Sequence, residues 1–114
     1  MVMTENAPLG TFEEQVMLAV LRTGEEAYGM NVRRELERVT GRDVAIGAVY
    51  ATLDRLEAKG LVASSRSGTG AASRRLFAVT APGARGLAES RMMRERLWEG
   101  VDLRPLLALP GAGA

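Results

Sequence analysis

A set of arginines beside a helix of small residues is the part of this sequence best suited to chemistry. Gly47, Ala48, Ala51, Thr52 and Arg55 share one side of a helical repeat, and Arg66, Arg74 and Arg75 follow on two segments of alternating character. Small side chains let a helix backbone lie close to another surface. A threonine can donate, accept or touch a thymine methyl, and an arginine can reach a phosphate or a guanine edge. That chemistry is recognition of a polyanion rather than bond making. The sequence has no histidine and no cysteine. Their absence removes the commonest general base and a common nucleophile, together with disulfides and thiolate-bound metal. Gly68-Thr69-Gly70 lacks the lysine and helix that would make it a phosphate loop. No enzyme activity, no cofactor and no metal are expected.

The elements that must position these residues are legible along the chain. Its 114 residues suffice for one domain, and a core shared with a second copy would help so small a domain. Pro8 and Gly10 keep residues 1–10 a short arm. Thr11 and Glu14 fit a capping box that opens a first helix over 11–23. A second helix over 28–39 has Val32, Leu36 and Val39 on its inner stripe and ends at Gly41. A third, over 46–59, turns Ile46, Val49, Leu53 and Leu56 inward. Two short strands follow at 61–66 and 74–80, joined by a glycine-containing loop as a hairpin. Arg74 and Arg75 point to opposite sides of their strand, so at most one faces DNA squarely while the other braces the sheet. Thr80 then caps a last helix to about residue 98, with Pro82 in its first turn. Residues 99–114 show no clear period and read as an irregular tail.

Helix, helix, helix, hairpin, helix is the order of a winged helix-turn-helix. The fold class expected is mainly α (α+β), with a two-stranded wing and an added C-terminal helix. In such a motif the second helix lies in the DNA major groove while its partner crosses the backbone. The wing arginines would sit on phosphates, which position a protein without choosing the sequence. Net charge is only +1, but its distribution is uneven. Residues 1–27 hold one arginine against five acids, whereas residues 28–80 hold nine bases against five acids, a balance of 9 − 5 = +4. No signal peptide or membrane span is visible, so the expectation is a cytoplasmic protein without membrane partners.

The stretch 47–62 carries Gly47, then Tyr50, then Leu53, then Arg55-Leu56-Glu57 and Gly60. It resembles the core signature of PadR-type regulators. Upstream, Ala27-Tyr28-Gly29-Met30 is similar to that family's opening of helix 2. Downstream, the run from Ser73 to Gly83 resembles its wing strand and the turn that starts its dimerisation helix. The resemblance spans residues 11–98. It implies a homodimeric repressor of transcription that leaves double-stranded DNA when a small molecule or other signal arrives. It implies a DNA-binding domain over 1–80, a dimerisation helix over 81–98 and a tail over 99–114. Tyr50 would face phosphate at the start of the reading helix, and Tyr28 joins the DNA-binding residues Gly47, Ala48, Ala51, Thr52, Arg55, Arg66, Arg74 and Arg75. Leu87, Met92, Leu97 and Trp98 would form the dimer interface. Trp98 has two readings. Large aromatics dominate interfaces without any ligand, which favours packing; the alternative is a stacking platform for a small aromatic or drug-like ligand, as in drug-sensing members. Ala51 stands where the family commonly has proline, Ala45 where it has a capping serine, and Leu76-Phe77 where a Lys-Tyr or Tyr-Tyr pair is usual. The competing reading is a winged helix used for protein contact with no operator, since fold does not fix function.

Overall fold

The computed structural model describes residues 9–111, with Ala72 as backbone only. The first eight residues of the expected arm and the end of the tail, 112–114, lie outside it. Helix α1 (Thr11–Thr23) follows the apolar run, but its cap differs from the expectation. Gly10 is the N-cap, so the residue placed to reach back is Glu13, whose Oε1 accepts the Gly10 N–H at 3.0 Å. Glu14 instead pairs with Arg94, far along the chain. Helix α2 (Gly29–Thr40) ends at Gly41, whose φ of 71° suits glycine. Helix α3 (Ile46–Ala58) follows, then strands β1 (Val62–Ser67) and β2 (Arg74–Val79). The strands are antiparallel, with Val62 opposite Val79 and Arg66 opposite Arg75. Helix α4 (Ala81–Trp98) opens on Thr80, which accepts the Gly83 N–H at 3.1 Å. In the stretch expected to be irregular, Arg104–Leu107 forms one helical turn, α5.

The core gathers one face of each element. Val16, Met17 and Val20 of α1, Val32 and Leu36 of α2, and Val49, Leu53 and Leu56 of α3 are all buried, closed by Val62 and Phe77 of the hairpin. Two apolar expectations need correcting. Val39 is 55% exposed, because it lies on the rim of an open groove between α1 and α2 with Leu18 and Leu21. Leu87, expected at a dimer interface, is buried in this core, since the first turns of α4 lie against the domain. The sequence also gave no sign of a third strand-like segment. Phe77 N–H donates to the Ala27 carbonyl at 2.9 Å, and Tyr28 bridges Leu76. The residues leading into α2 are thereby tied to the wing. Among the described residues, no helix is long and apolar enough to cross a membrane.

The turn into α4 depends on a close approach. Thr80 N–H donates to the Leu61 carbonyl at 3.1 Å, and the Thr80 hydroxyl donates to the Gly60 carbonyl at 2.7 Å. Gly83 sits over the same backbone, and a Cβ there would lie 2.1 Å from the Leu61 oxygen. Gly83→Ala should therefore destabilise the fold by about 1–3 kcal/mol, read by urea denaturation. Gly86→Ala, on the same helix with only Leu9 Cδ1 at 3.9 Å, should be neutral or stabilising by up to about 1 kcal/mol.

Candidate nucleic-acid interface

The outward face of α3 comprises Gly47, Ala48, Tyr50, Ala51, Asp54 and Arg55, all exposed. Four of the expected readers, Gly47, Ala48, Ala51 and Arg55, are thus available at one surface. Thr52 is not. It is only 2% exposed, because it lies three residues after Val49 and four before Leu56 and so falls within the inward stripe. Its Oγ1 accepts a hydrogen bond from Arg55 Nη2 at 3.1 Å. Thr52 steadies the Arg55 side chain rather than presenting itself to a base.

The start of α3 has no side-chain cap, since Ala45 occupies the N-cap. The entry is held from α2 instead. Arg33 Nε donates to the Val44 carbonyl at 2.9 Å, and the Val44 N–H donates to Glu37 Oε2 at 2.8 Å. Arg33 and Glu37, one helical turn apart, thus grip both backbone groups of the residue before the cap. The Val44 N–H, with Arg33 alongside, holds the Glu37 carboxyl below the usual carboxylate range. No sequence pattern marks this grip, because the shared target is a backbone that only tertiary structure brings near.

Beside α3, the first turn of α2 and the wing enclose a cleft of about 570 Å³. Tyr28, Tyr50, Arg34, Arg66, Arg74 and Arg75 are among the residues that line it. Tyr50 is 37% exposed, and its ring lies over Gly29, where a Cβ would come within 2.3 Å of Tyr50 Cζ. The glycine is what lets the reading helix and α2 approach here. The Arg74 guanidinium stacks on Tyr28, 4.4 Å from the ring centroid. The opening N–H groups of a helix have no partner within it and favour an anion, and this cleft lies at the first turn of α2. Arg34 was missed by sequence reasoning; it lies one helical turn after Met30, which also lines the cleft.

The two strand arginines do face opposite ways. Arg75 turns toward α3, where Nη1 meets Asp54 Oδ1 at 2.9 Å and Nη2 meets Glu57 Oε1 at 2.6 Å. It was expected on DNA, but two carboxylates already occupy it. Hydrogen bonds from Ser64 and Arg75 hold the Glu57 carboxyl below its ordinary range. By contrast, among the described residues Arg34, Arg55, Arg66 and Arg74 form no ion pair, while Arg22, Arg33, Arg38, Arg75, Arg91, Arg94 and Arg104 do. Arg42, Arg85 and Arg96 are also without one, but of the arginines on the reading helix and lining the cleft, Arg75 alone among the described residues is paired. That geometry suits a phosphate backbone, with a helix of small residues positioned against base edges.

The family model for PadR-like transcriptional regulators matches residues 17–89, which is more than half of the chain. The chain belongs to the PadR-like family. It is a DNA-binding transcriptional regulator and not an enzyme. Its fold is similar to that of a PadR family regulator from Eggerthella lenta, at 28% identity over 83% of this chain and 85% of that one, with a TM-score of 0.62. It is also similar to a PadR-like regulator from Bacillus cereus, at 20% identity over 88% and 94% of the two chains, TM-score 0.68. A third likeness is to a PadR family regulator from Clostridium difficile, at 18% identity over 85% and 99%, TM-score 0.66. The last two bear on the fold alone. No curated protein matches the chain.

Two outcomes follow for this PadR-like surface. Thr52→Ser keeps the hydroxyl and removes a buried methyl, so it should cost about 1 kcal/mol of stability and leave base preference in a selected-duplex pool unchanged. Arg66→Ala and Arg74→Ala should each weaken DNA binding uniformly across sequences and lower the salt slope by about one, measured by fluorescence anisotropy.

Proposed function

We propose that this PadR-like regulator is a homodimeric repressor whose two reading helices meet a near-palindromic operator. The observation that carries it is the course of α4. From Arg91 to Trp98 every residue is exposed, including Met92 at 52%, Met93 at 44%, Leu97 at 71% and Trp98 at 57%. The apolar residues Val101, Leu103, Leu106, Leu107 and Leu109 beyond it are exposed as well. A Cα radius of gyration of 17.2 Å exceeds the roughly 13 Å of a compact domain of this length. Met92, Met93, Leu97 and Trp98 are exposed on the later turns of a helix that is otherwise rich in arginine and tied to α1 through Arg94 and Glu14; such apolar side chains need a second surface, and a second copy supplies one. Residues 1–80 form the DNA-binding domain, 81–98 the dimerisation helix and 99–114 a tail beside it.

Dimerisation would set the reading helices about 34 Å apart, one turn of DNA. Gly47, Ala48, Ala51 and Arg55 would approach bases, with Tyr28, Tyr50, Arg66 and Arg74 on phosphates. A small molecule or another signal that changes the angle between the paired α4 helices would change that separation and release the operator. Trp98 packs in the dimer; an aromatic or drug-like ligand stacked on it is one form such a signal could take. The regulator would act in the cytoplasm.

The test is a titration of fluorescent duplex from the protein's own upstream region against a scrambled duplex, with mass measured by light scattering. A dimer that prefers the upstream DNA by about 1000-fold or more is the expected result. Equal, weak binding by a monomer would overturn the proposal and favour a winged helix used for protein contact.

A further inference from the structure

Arg75 is a wing cation already matched by two carboxylates of the reading helix, and the one that binds it most closely is Glu57. One carboxylate on the last turn of α3 holds three donors from the hairpin. Its Oε1 accepts from Arg75 Nη2 at 2.6 Å, and its Oε2 accepts from the Ser64 hydroxyl at 2.7 Å and the Ser64 N–H at 3.2 Å. Ser64 and Arg75 lie on different strands, on the one hairpin face that turns toward α3 with Val62 and Phe77. Asp54, one turn earlier on α3, receives the other end of the guanidinium, and the guanidinium carbon lies 4.8 Å from the Phe77 ring centroid. A planar fork bonded at both ends to one helix has little freedom to swing.

We infer that Glu57 is a positioning residue that fixes the wing against the reading helix, with Arg75 as its strut and not a DNA contact. The inference rests on the DNA-binding reading for its effect on affinity, but the brace itself exists in the free protein. Arg66 lies opposite Arg75 in the hairpin, and Arg74 is its chain neighbour. Both phosphate-facing arginines therefore take their positions from a strand pair that Glu57 anchors. The wing tip beyond them has no comparable tie to α3 among the described residues.

A simple charge argument predicts the opposite of this inference, which makes it testable. Removing a carboxylate near DNA lowers repulsion and frees Arg75 for a phosphate, so Glu57→Gln would tighten binding and steepen its salt dependence. A brace predicts weaker binding by about tenfold and a salt slope shallower by about one to two, because Arg66 and Arg74 lose their fixed positions. The experiment is anisotropy of a scrambled fluorescent duplex across a salt series, which needs no operator. Glu89→Gln, an exposed carboxylate on α4 outside the network, serves as the charge control. Arg75→Met should weaken binding like Glu57→Gln, and the double variant should be no worse than either alone, since both remove one unit. Hydrogen exchange at the Ser64 amide should rise at least several-fold in Glu57→Gln without DNA, while amides of α1 stay protected. Tighter binding by Glu57→Gln with weaker binding by Arg75→Met would overturn the inference, as would unchanged Ser64 exchange. Should the wild type fail to bind DNA, the DNA reading fails, and Ser64 exchange still decides the brace. If Glu57→Gln does not fold, Arg75→Lys, which keeps the charge and loses the fork, should show the same exchange at Ser64.

Discussion

Val49, Leu53 and Leu56 have no exposed surface at all, and their burial fixes the rotation of α3 about its own axis. Each such side chain contributes roughly 1.5–3 kcal/mol when removed from water. A helix held this way cannot roll by even one residue without moving a core side chain into solvent. The face presented to DNA is therefore set by the face that never meets it. Gly47, Ala48, Ala51 and Arg55 are outward because Val16, Met17, Val32 and Leu36 take up the other side.

Rotation alone does not place a reading helix; its ends and its wing must also be held. The helix lacks a capping side chain at Ala45, and the grip of Arg33 and Glu37 on Val44 provides its entry point. Its far end is tied twice, by Lys59 to Glu13 of α1 at 2.8 Å and by Glu57 to the wing. These ion pairs also shape the field. The Glu35 carboxyl, bonded by Arg38 and Arg22, is held down to a pKa of about 2, and Glu37 and Glu57 are likewise matched to arginines. A chain with a net charge of only +1 can then show a phosphate an unopposed cluster of cations, Arg34, Arg66 and Arg74, because the charge that cancels elsewhere is paired elsewhere. The low total charge is no argument against DNA once the pairing is known.

Much of this was legible in the sequence, for identifiable reasons. Helical spacing and stop residues marked all four long helices, and Thr80 with Pro82 marked the start of α4. The family resemblance rested on motifs in the right order, and the residues matched by the family model include those motifs. What escaped was set by tertiary contact. Thr52 looked outward by chemistry, a small polar residue on a candidate reading helix, although its spacing from Val49 and Leu56 already placed it inward. Leu87 was assigned to an interface because α4 was read as one unit, whereas its first turns belong to the domain and only its later turns leave. The Tyr28 bridge to Leu76 is too short to give a strand pattern. The partners of Arg75 lie 18 and 21 residues away, beyond any local rule.

DNA is expected to meet the α3 face and the cleft beside it. Backbone amide spectra of the labelled protein, recorded as duplex DNA is added, test this directly. The amides of Gly47, Ala48, Tyr50, Ala51 and Arg55 should shift together with those of Tyr28, Arg66 and Arg74, while Leu18, Leu21 and Val39 on the opposite groove stay still. Shifts confined to that groove, with the α3 face unmoved, would contradict it.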